Sequence, residues 1–461
     1  MVDTLERAAV GEVENALRRY AGPVRRALSR LPRADNGDPA RFTPPAELPD
    51  DGTLDEFFAP STMSFHRLGD YDGRRLTLLN LMGNARTRTT KTYPSLVIVA
   101  RAVQHIRQTG EAVMIVTPSS ANKATALRDA VLRAIELDLV AADRLSILSV
   151  VPDAAHPKLW SSALDADPQL ALRNPVATYN GPEPGEVKLL ARRLVDEHAA
   201  GIWATHRTRL WHTMDIENYK AADVVRAYAE HEFFPLEPGR TRLHVHAVSS
   251  AFGLLGHNLG LEELERDGAV NARDFRYLMV QHLGTPDMVL SLLFGASNRE
   301  LLPSYRYEPT RGVYVQDGAP NFPHTTFAVD ETLDSTFYTR RPVTSDQMNT
   351  LIRQRGGGGI VVSLHECLAR YGALRAMLDP TGVRLPADPR DLREWSLVMA
   401  LTGTLNAIDR GLVAEDDIIV HGTGSYGPAD YQRIPDDRLR PVANVDELAA
   451  IAEAAVGEGT R

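Results

Sequence analysis

The sequence has a single cysteine, Cys367, among its 461 residues. One cysteine excludes an internal disulfide and a zinc site built from cysteines. No apolar run approaches the roughly 18 residues that a membrane-spanning helix needs. The N-terminal segment is charged and lacks the apolar stretch of a signal peptide. From these absences we expect a cytoplasmic protein without membrane association.

Positive charge is also scarce, because 51 Lys and Arg residues face 60 Asp and Glu, which gives a net charge of −9. Proteins that bind nucleic acids gain affinity from clustered positive charge, so we expect no nucleic-acid partner. The content of 43% hydrophobic and 24% charged residues is typical of a globular chain. Its length suggests two or three structural units.

Lysine is also scarce, because 46 of the 51 basic residues are arginine and only five are lysine. A genome that prefers arginine would produce this bias wherever only charge matters. Lysine can lose its proton and act as a nucleophile, whereas arginine cannot. The surviving lysines are therefore the first candidates for covalent chemistry: Lys91, Lys123, Lys158, Lys188 and Lys220.

Apolar runs alternate with amphipathic stretches from about residue 75, which predicts an α/β protein with mostly parallel sheets. Residues 3–32 have helical spacing, and 33–60 are rich in Pro, Asp and Gly, as in a linker. We predict helices at 122–136, 345–355 and 364–378, among others. Ligands in such folds bind at the carboxyl ends of strands, so strand-to-helix turns are the places to look.

Four such segments carry ligand-binding residue types, at 84–91, 117–122, 248–256 and 418–427. Turns rich in Ser and Gly offer backbone N–H groups and a helix N-terminus to an anion. Each segment alone is equally typical of a capped helix start or a solvated loop. Their order along the chain is more informative than any single segment.

In that order the segments resemble the fold type II pyridoxal-phosphate enzymes, the group of threonine synthase, cysteine synthase and the tryptophan synthase β chain. The family's helix-starting lysine is matched by Lys91, and its S-S-G-N loop by residues 119–122. The family's glycine-rich phosphate turn is matched by residues 249–256, and its closing T-G-x-G segment by 423–427. The resemblance covers roughly residues 60–430. Ala121, Ser249, Ala251 and Phe252 stand where the family has glycines.

The resemblance implies a role for each matched residue. Lys91 would bind the aldehyde of pyridoxal 5'-phosphate covalently and then move the substrate α-proton. Asn122 would hydrogen-bond the pyridine 3-oxygen of the cofactor. Its phosphate would be bound by Ser249, Ser250 and Gly253. Thr423 or Ser425 would face the pyridine nitrogen. A substrate carboxylate would be bound by Ser119 and Ser120, with Arg86 and Arg88 as further anion ligands or, equally, as solvated charges.

Two assignments stay open at this stage. Lys123 adjoins Asn122 and is the rival for the covalent role. His244 and His246 alternate on one strand and so share a face, but two histidines alone make a weak metal site. A satisfied core pair is the better interpretation, and we predict no metal.

The resemblance further implies two domains, with the cofactor between them. We expect an N-terminal extension at 1–60, a large domain at 61–91 plus 206–461, and a smaller α/β domain at 92–205. The reaction would be a β- or γ-elimination or replacement on an amino acid with a leaving group, in a homodimer serving specialised metabolism. The alternatives are an inactive member acting as a binding partner, or an unrelated enzyme that binds a nucleotide or sugar phosphate at 249–253.

Overall fold

The computed structural model describes residues 9–31, 37–49, 52–213 and 216–457. These residues form two compact units, each assembled from three stretches of the chain. The first unit takes its residues from within Met1–Glu14, Thr62–Gly83 and Asp223–Asp430. The second takes them from Asn15–Ser61, Asn84–Ala222 and Tyr431–Arg461.

A seven-stranded sheet forms the centre of the first unit. Its strands are β1 (Ala9–Val13), β2 (Met63–Tyr71), β3 (Arg74–Asn80), β8 (Arg242–Ala247), β9 (Phe275–His282), β13 (Gly357–Val362) and β14 (Asp417–Gly422). Their spatial order is β1-β2-β3-β14-β8-β9-β13, antiparallel up to β3 and parallel from there. A small antiparallel sheet is added by β10 (Arg306–Glu308), β11 (Val313–Val315) and β12 (Thr325–Thr326).

Helices cover both faces of the large sheet. They are α10 (Val225–Phe233), α11 (Phe252–Arg266), α12 (Asp287–Phe294), α13 (Ser345–Arg355), α14 (Leu364–Leu378) and α15 (Ser396–Asp409). Leu243 and Val245 of β8 belong to an apolar core with α14 and α15. Because neighbouring strand residues point to opposite faces, His244 and His246 face the other side, toward α10 and α11.

The second unit is built on a five-stranded parallel sheet. Its strands are β4 (Ala112–Pro118), β5 (Leu145–Pro152), β6 (Val176–Tyr179), β7 (Thr208–His212) and β15 (Leu439–Val442), in the order β15-β6-β5-β4-β7. Its longer helices are α4 (Thr92–Thr109), α5 (Asn122–Glu136), α8 (Val187–His206), α9 (Ile216–Asp223) and α16 (Val445–Gly457). Short helices are α1 (Ala16–Arg19), α2 (Ala21–Leu28), α3 (Leu54–Phe57), α6 (Ala163–Ala166) and α7 (Pro168–Arg173).

The α/β class with mostly parallel sheets is confirmed, and α5, α13 and α14 begin and end at the predicted residues. The helix predicted over 3–32 is wrong for the described residues, where β1 precedes α1 and α2. Val13 of β1 pairs with Met63 of β2. Periodicity within the segment does not show a strand partner that lies fifty residues away. Residues 3–8 and 32 of this prediction lie outside the described residues, as do 33–36, 50 and 51 of the linker.

The division into units differs from the predicted domain boundaries at both ends of the chain. Residues 15–61 belong to the second unit rather than to a separate extension, and so do the C-terminal residues from Tyr431 onward. The C-terminal assignment follows from pairing, because β15 adds to the edge of the sheet beside β6 and α16 packs on α8. Among the described residues, no helix combines the length and apolarity needed to cross a bilayer.

Candidate functional site

Each parallel sheet has one place where the chain reverses its direction of travel across the strands. In the first unit the chain runs from β8 outward to β9 and β13, then returns to β14 on the other side of β8. In the second it runs from β4 to β5 and β6, then returns to β7 on the other side of β4. Open α/β sheets bind ligands outside the carboxyl ends of the strands at such points. The loops after β8 and β14 are therefore the candidate site of the first unit, and the loops after β4 and β7 are that of the second.

The segment before α4 is a tightly hydrogen-bonded loop in the second unit. Asn84 donates from Nδ2 to Asp129 Oδ2 at 2.8 Å, and Thr87 and Thr92 share a hydroxyl hydrogen bond of 2.7 Å. These contacts hold Lys91 immediately before the first residue of α4, as the resemblance predicts. The Lys91 ammonium lies 5.8 Å from the centre of the Tyr219 ring.

The two arginines of this loop differ in their surroundings. Arg86 forms an ion pair of 2.8 Å with Glu136, and this hydrogen bond raises the pKa of the guanidinium. A second carboxylate, Asp129, lies 3.5 Å away. Arg88 is half-buried and has a φ of 44°. Arg86 thus ties the loop to α5, which is a structural role beside the predicted anion binding.

The turn after β4 has a backbone conformation typical of glycine, although an alanine occupies the position. Ala121 has a φ of 116°, a conformation that a residue with a Cβ rarely adopts. Ser119 Oγ accepts hydrogen bonds from the N–H groups of Ala121 and Ala124 at 3.2 and 2.9 Å, so its hydroxyl caps the start of α5. Asn122 is the first residue of α5, and Ser120 is partly exposed beside it.

Lys123 follows at the start of α5 and is partly buried. Its Nζ donates to the carbonyl of Thr213, at the end of β7, over 3.4 Å. Burial, followed by the positive charges of Lys188 and Lys91, lowers the pKa of Lys123 to about 7. An amine with this pKa is partly neutral at physiological pH, which is the nucleophilic form.

Lys188 was singled out only as one of the five rare lysines, and the assignments made from the sequence give no role to Lys188 or His212. Burial lowers the pKa of Lys188, and burial together with the charge of Lys123 lowers that of His212 to about 4. We refer to Lys91, Lys123, Lys188 and His212 as the lysine cluster. The rarity of lysine was the available signal, since three of the five lysines belong to this group.

In the first unit, the turn after β8 forms one part of that unit's own candidate site. Ala251 has a φ of 51°, and α11 begins at the next residue. The carbonyl of Ser250 accepts a hydrogen bond of 2.7 Å from the Thr344 hydroxyl, and Ser249 is partly exposed beside it. A Cβ on Gly253 would lie 2.5 Å from Nη1 of Arg226, so only glycine lets this guanidinium approach the start of the helix.

The segment after β14 lies at the same switch point. Thr423 and Ser425 are both buried. Ser425 Oγ is enclosed and has no hydrogen-bond partner among the described residues. A buried hydroxyl without a partner costs free energy, so this atom is suited to a ligand that supplies one.

A buried histidine network lies under these turns and was only partly visible in the sequence. It joins side chains of α10, α11, β8, β9 and β14, namely Arg226, Glu230, Arg242, His244, His257, Tyr277 and His421. Glu230 is its centre and accepts from Arg242 at 2.7 Å and from His257 at 2.7 Å. Arg242 also donates to Asp417 at 2.9 Å, and Arg226 forms a 2.6 Å ion pair with Asp223.

The direction of the hydrogen bond at the Arg226 end of this network can be assigned. Arg226 can only donate, so the Nδ1 of His421, 3.1 Å away, accepts. Burial lowers the pKa of His421 well below its usual value, which leaves its one proton on Nε2. Nε2 of His421 shares a hydrogen bond of 3.0 Å with Nδ1 of His244, and Nε2 of His244 lies 3.5 Å from Glu230.

The other end of the network follows the same logic. His257 donates from Nε2 to Glu230, and its Nδ1 accepts from the Tyr277 hydroxyl at 3.1 Å. Burial lowers the pKa of His257 to about 4, so the ring is neutral. His244 Nε2 also faces Glu230, at 3.5 Å, but makes no hydrogen bond among the described residues. The interpretation of His244 and His246 as a satisfied core pair stays a prediction.

A model of a family of unknown function (DUF6002) matches residues 12–456 of the sequence. No curated protein matches this sequence. Among solved structures, threonine synthase from yeast is similar over 86% of this chain and 81% of its own, with 10% identity and a TM-score of 0.50. This likeness shows that the chain has the fold of the fold type II pyridoxal-phosphate enzymes, as predicted.

Two further solved structures are similar at lower TM-scores. Threonine synthase from Brucella melitensis, with pyridoxal phosphate bound, has 12% identity and a TM-score of 0.47, covering 82% of this chain and 78% of its own. A fungal L-serine ammonia-lyase from Rhizomucor miehei has 13% identity and a TM-score of 0.46, covering 77% and 90%.

Proposed function

We propose that this chain, which belongs to the DUF6002 family of unknown function, is a pyridoxal-phosphate enzyme that acts on an amino acid. The observation that carries the proposal is the position of the predicted motifs. The loops at 249–253 and 423–425 follow the two strands of the switch point in the first unit. The loop at 119–122 follows a strand of the switch point in the second, where Lys123 also reaches Thr213.

The residues present fit the cofactor on two further observations. Ala121 and Ala251 keep positive φ angles in the two turns where the family has glycine. Such strain costs on the order of 1–3 kcal/mol at each position and is concentrated at functional sites. The partnerless hydroxyl of Ser425 would hydrogen-bond the pyridine nitrogen, and the N–H groups at the start of α11 would bind the phosphate.

In this proposal Lys91 binds the cofactor aldehyde and Lys123 serves it as a proton acceptor. Bound pyridoxal phosphate would supply the electron sink that stabilises negative charge at the substrate α-carbon. Lys91 Nζ would take the α-proton once the substrate amine has replaced it. Lys123 Nζ, with its pKa of about 7, can accept a proton near neutral pH and so keep a neighbouring amine in its reactive form.

The remaining roles follow the sequence-based assignments. Asn122 would hydrogen-bond the pyridine 3-oxygen, Ser120 would bind a substrate carboxylate, and Thr423 would assist Ser425. A hydroxyl cannot keep the pyridine nitrogen protonated as a carboxylate does. This favours elimination or replacement at the β- or γ-carbon over transamination.

The test is absorption spectroscopy of the purified chain with added pyridoxal phosphate. We expect a yellow protein, whose colour is lost in Lys91→Ala and retained in the control Lys220→Ala. Borohydride reduction followed by peptide mass spectrometry locates the modified lysine. Labelling of Lys123 would transfer the covalent role to that residue. A protein that stays colourless and unlabelled would refute the proposal.

An inactive binding protein is the alternative that the alanines in both turns favour. It predicts that the chain takes up the cofactor weakly or not at all and shows no spectral change with any amino acid. The proposal also includes a homodimer and a cytoplasmic location. Sedimentation of the purified chain and fractionation of cells expressing it test these two points.

A further inference from the structure

The turn after β8, at residues 249–253, offers an anion less open backbone than the corresponding turn of the family. Ser249, Ala251 and Phe252 replace glycines there, and each added Cβ limits how closely an anion can approach the main chain. Gly253 is the glycine that remains within these five residues of the sequence. If this turn binds a phosphate, we expect part of the interaction to come from another group.

A buried guanidinium lies directly behind Gly253. Arg226 of α10 is 1% exposed, and its Nη1 and Nη2 atoms lie 2.5 and 2.8 Å from the position that a Cβ on Gly253 would occupy. Nε2 of His246, near the end of β8, lies 2.8 Å from the same position. Gly253 is not among the glycines with a positive φ angle, so its backbone would tolerate a side chain. The missing Cβ therefore makes room for the guanidinium.

Hydrogen bonds hold the guanidinium of Arg226 in this position. Its Nε donates to Asp223 Oδ1 at 2.8 Å, and its Nη2 lies 2.6 Å from the same oxygen. Its Nη1 donates to Nδ1 of His421, in β14, at 3.1 Å. An arginine keeps its charge at every pH at which proteins are folded. Because the first turn of α11 contains no acidic residue, this fixed positive charge adds to the positive end of the helix.

We propose that Arg226 is a positioning residue of the turn at 249–253 and makes this turn selective for a phosphorylated ligand. Resting on the proposed function, the ligand is the cofactor, and Arg226 distinguishes pyridoxal 5'-phosphate from pyridoxal. The guanidinium acts through Gly253, because its charge stabilises a dianion bound by the N–H groups at the start of α11. It replaces part of the interaction that the family obtains from its additional glycines.

A purely structural role in the histidine network is the alternative for Arg226. In that case a substitution loosens the core and weakens the binding of phosphorylated and unphosphorylated ligands alike. The ratio of the two dissociation constants separates the roles, because a general loosening cancels in the ratio whereas the loss of a charge behind the phosphate turn does not.

The experiment titrates the purified full chain with pyridoxal 5'-phosphate and with pyridoxal, followed by absorbance, and with inorganic phosphate, followed by calorimetry. Arg226→Gln and Gly253→Ala should each weaken binding of pyridoxal 5'-phosphate about tenfold and binding of pyridoxal less than about twofold. Arg226→Lys keeps a positive charge and should lie between Arg226→Gln and the wild type. The control Arg266→Gln, at the other end of α11 and paired with Glu263, should bind both ligands as the wild type does.

A double variant tests whether Gly253 and Arg226 act through the same charge. The Cβ of Gly253→Ala would displace the guanidinium, so its effect should largely vanish when Arg226 is already Gln. If Arg226→Gln does not fold because Asp223 loses its partner, Arg226→Gln combined with Asp223→Asn removes both charges together. If that pair also fails to fold, the ratio measured for Gly253→Ala alone decides.

Two outcomes would overturn this inference. One is an unchanged ratio of dissociation constants in the folded Arg226 and Gly253 variants, and the other is full additivity of their losses. Failure of the cofactor proposal is recognised separately, by a chain that stays colourless with pyridoxal phosphate. Inorganic phosphate then decides on Arg226: binding that Arg226→Gln weakens about tenfold supports its role at the turn, whereas unchanged or absent binding refutes it.

Discussion

Each unit holds a cluster of basic side chains, buried in the histidine network and partly buried in the lysine cluster, and the two differ in how charge is balanced. In the histidine network, Arg242 and Arg226 have carboxylate partners in Glu230, Asp417 and Asp223. His257 also donates from Nε2 to Glu230. In the lysine cluster, the neighbours that lower the pKa of Lys123 are themselves lysines, and a cavity opens beside His212. The first cluster contains its own counter-charges, whereas like charges face one another in the second.

The largest change in stability should come from removing a charge partner in the histidine network. Replacing Glu230 by Gln leaves the buried guanidinium of Arg242 with half its charge partners. Removing one partner of a buried ion pair costs about 3–5 kcal/mol. Chemical denaturation should show this loss in Glu230→Gln, while the exposed control Glu237→Gln should change stability far less. Equal effects of the two variants would mean that the network is not the centre of the core.

In the lysine cluster we expect a substitution to increase the stability of the chain rather than to reduce it. Lys123→Met removes a disfavoured charge and should stabilise the cofactor-free chain by roughly 2 kcal/mol at pH 6. Below pH 7 the amine is charged in both the folded and the unfolded chain, so its full cost is present. Between pH 7 and 10.5 the folded amine is neutral and the unfolded amine is charged, so wild-type stability rises with pH.

The advantage of Lys123→Met should therefore fade between pH 7 and pH 10. Urea denaturation at pH 6 and pH 9, in a buffer free of phosphate, measures the difference. Lys220→Met serves as the comparison variant. A stability gain that stays constant with pH would show that Lys123 is not held in its neutral form.

A smaller effect should come from the two strained turns. Ala121→Gly and Ala251→Gly should each stabilise the chain by about 1 kcal/mol, because glycine adopts positive φ without strain. The matched control is Ala124→Gly, in the buried first turn of α5, which should lose about 1 kcal/mol. Thermal unfolding of the three variants tests this. Destabilisation of both turn variants would argue against strain at these positions.

The smallest effect is expected from adding a metal ion to the histidine network. The side chains of Glu230, His244 and His257 are near enough to one another to surround a metal ion. His257 already donates a proton from Nε2 to Glu230, and a metal bound between these two side chains would have to displace that proton. We therefore expect added Zn²⁺ to leave the melting temperature unchanged, whereas a bound ion would raise it. A rise that disappears in His257→Gln would show that the network opens for metals.

The sequence was sufficient where the signal was local. The bounds of α5 follow from its periodicity, and Lys91 and Asn122 could be placed at helix starts from the residues around them. His244 and His246 share a face because strand residues alternate. These positions depend on neighbours within one or two elements.

The parts that could not be predicted depend on residues far apart in the chain. Glu230, His257 and His421 join the histidine network from three different elements. Lys188 joins the lysine cluster through the order of strands rather than through any motif. In the sequence, Ala121 and Ala251 indicate only that two glycines of the family are replaced. The structure shows that both positions nevertheless have the positive φ angles that glycine usually adopts.

The interleaved order of segments has a consequence for how the chain is made on the ribosome. Strand β14, between β3 and β8 at the middle of the large sheet, begins only at Asp417. Until it emerges, both β3 and β8 lack a neighbour on the side that becomes the centre of the sheet. Such open edges pair readily with other chains. Synthesis must therefore pass nine-tenths of the chain before the sheet can close, so this protein should depend on chaperones during that interval.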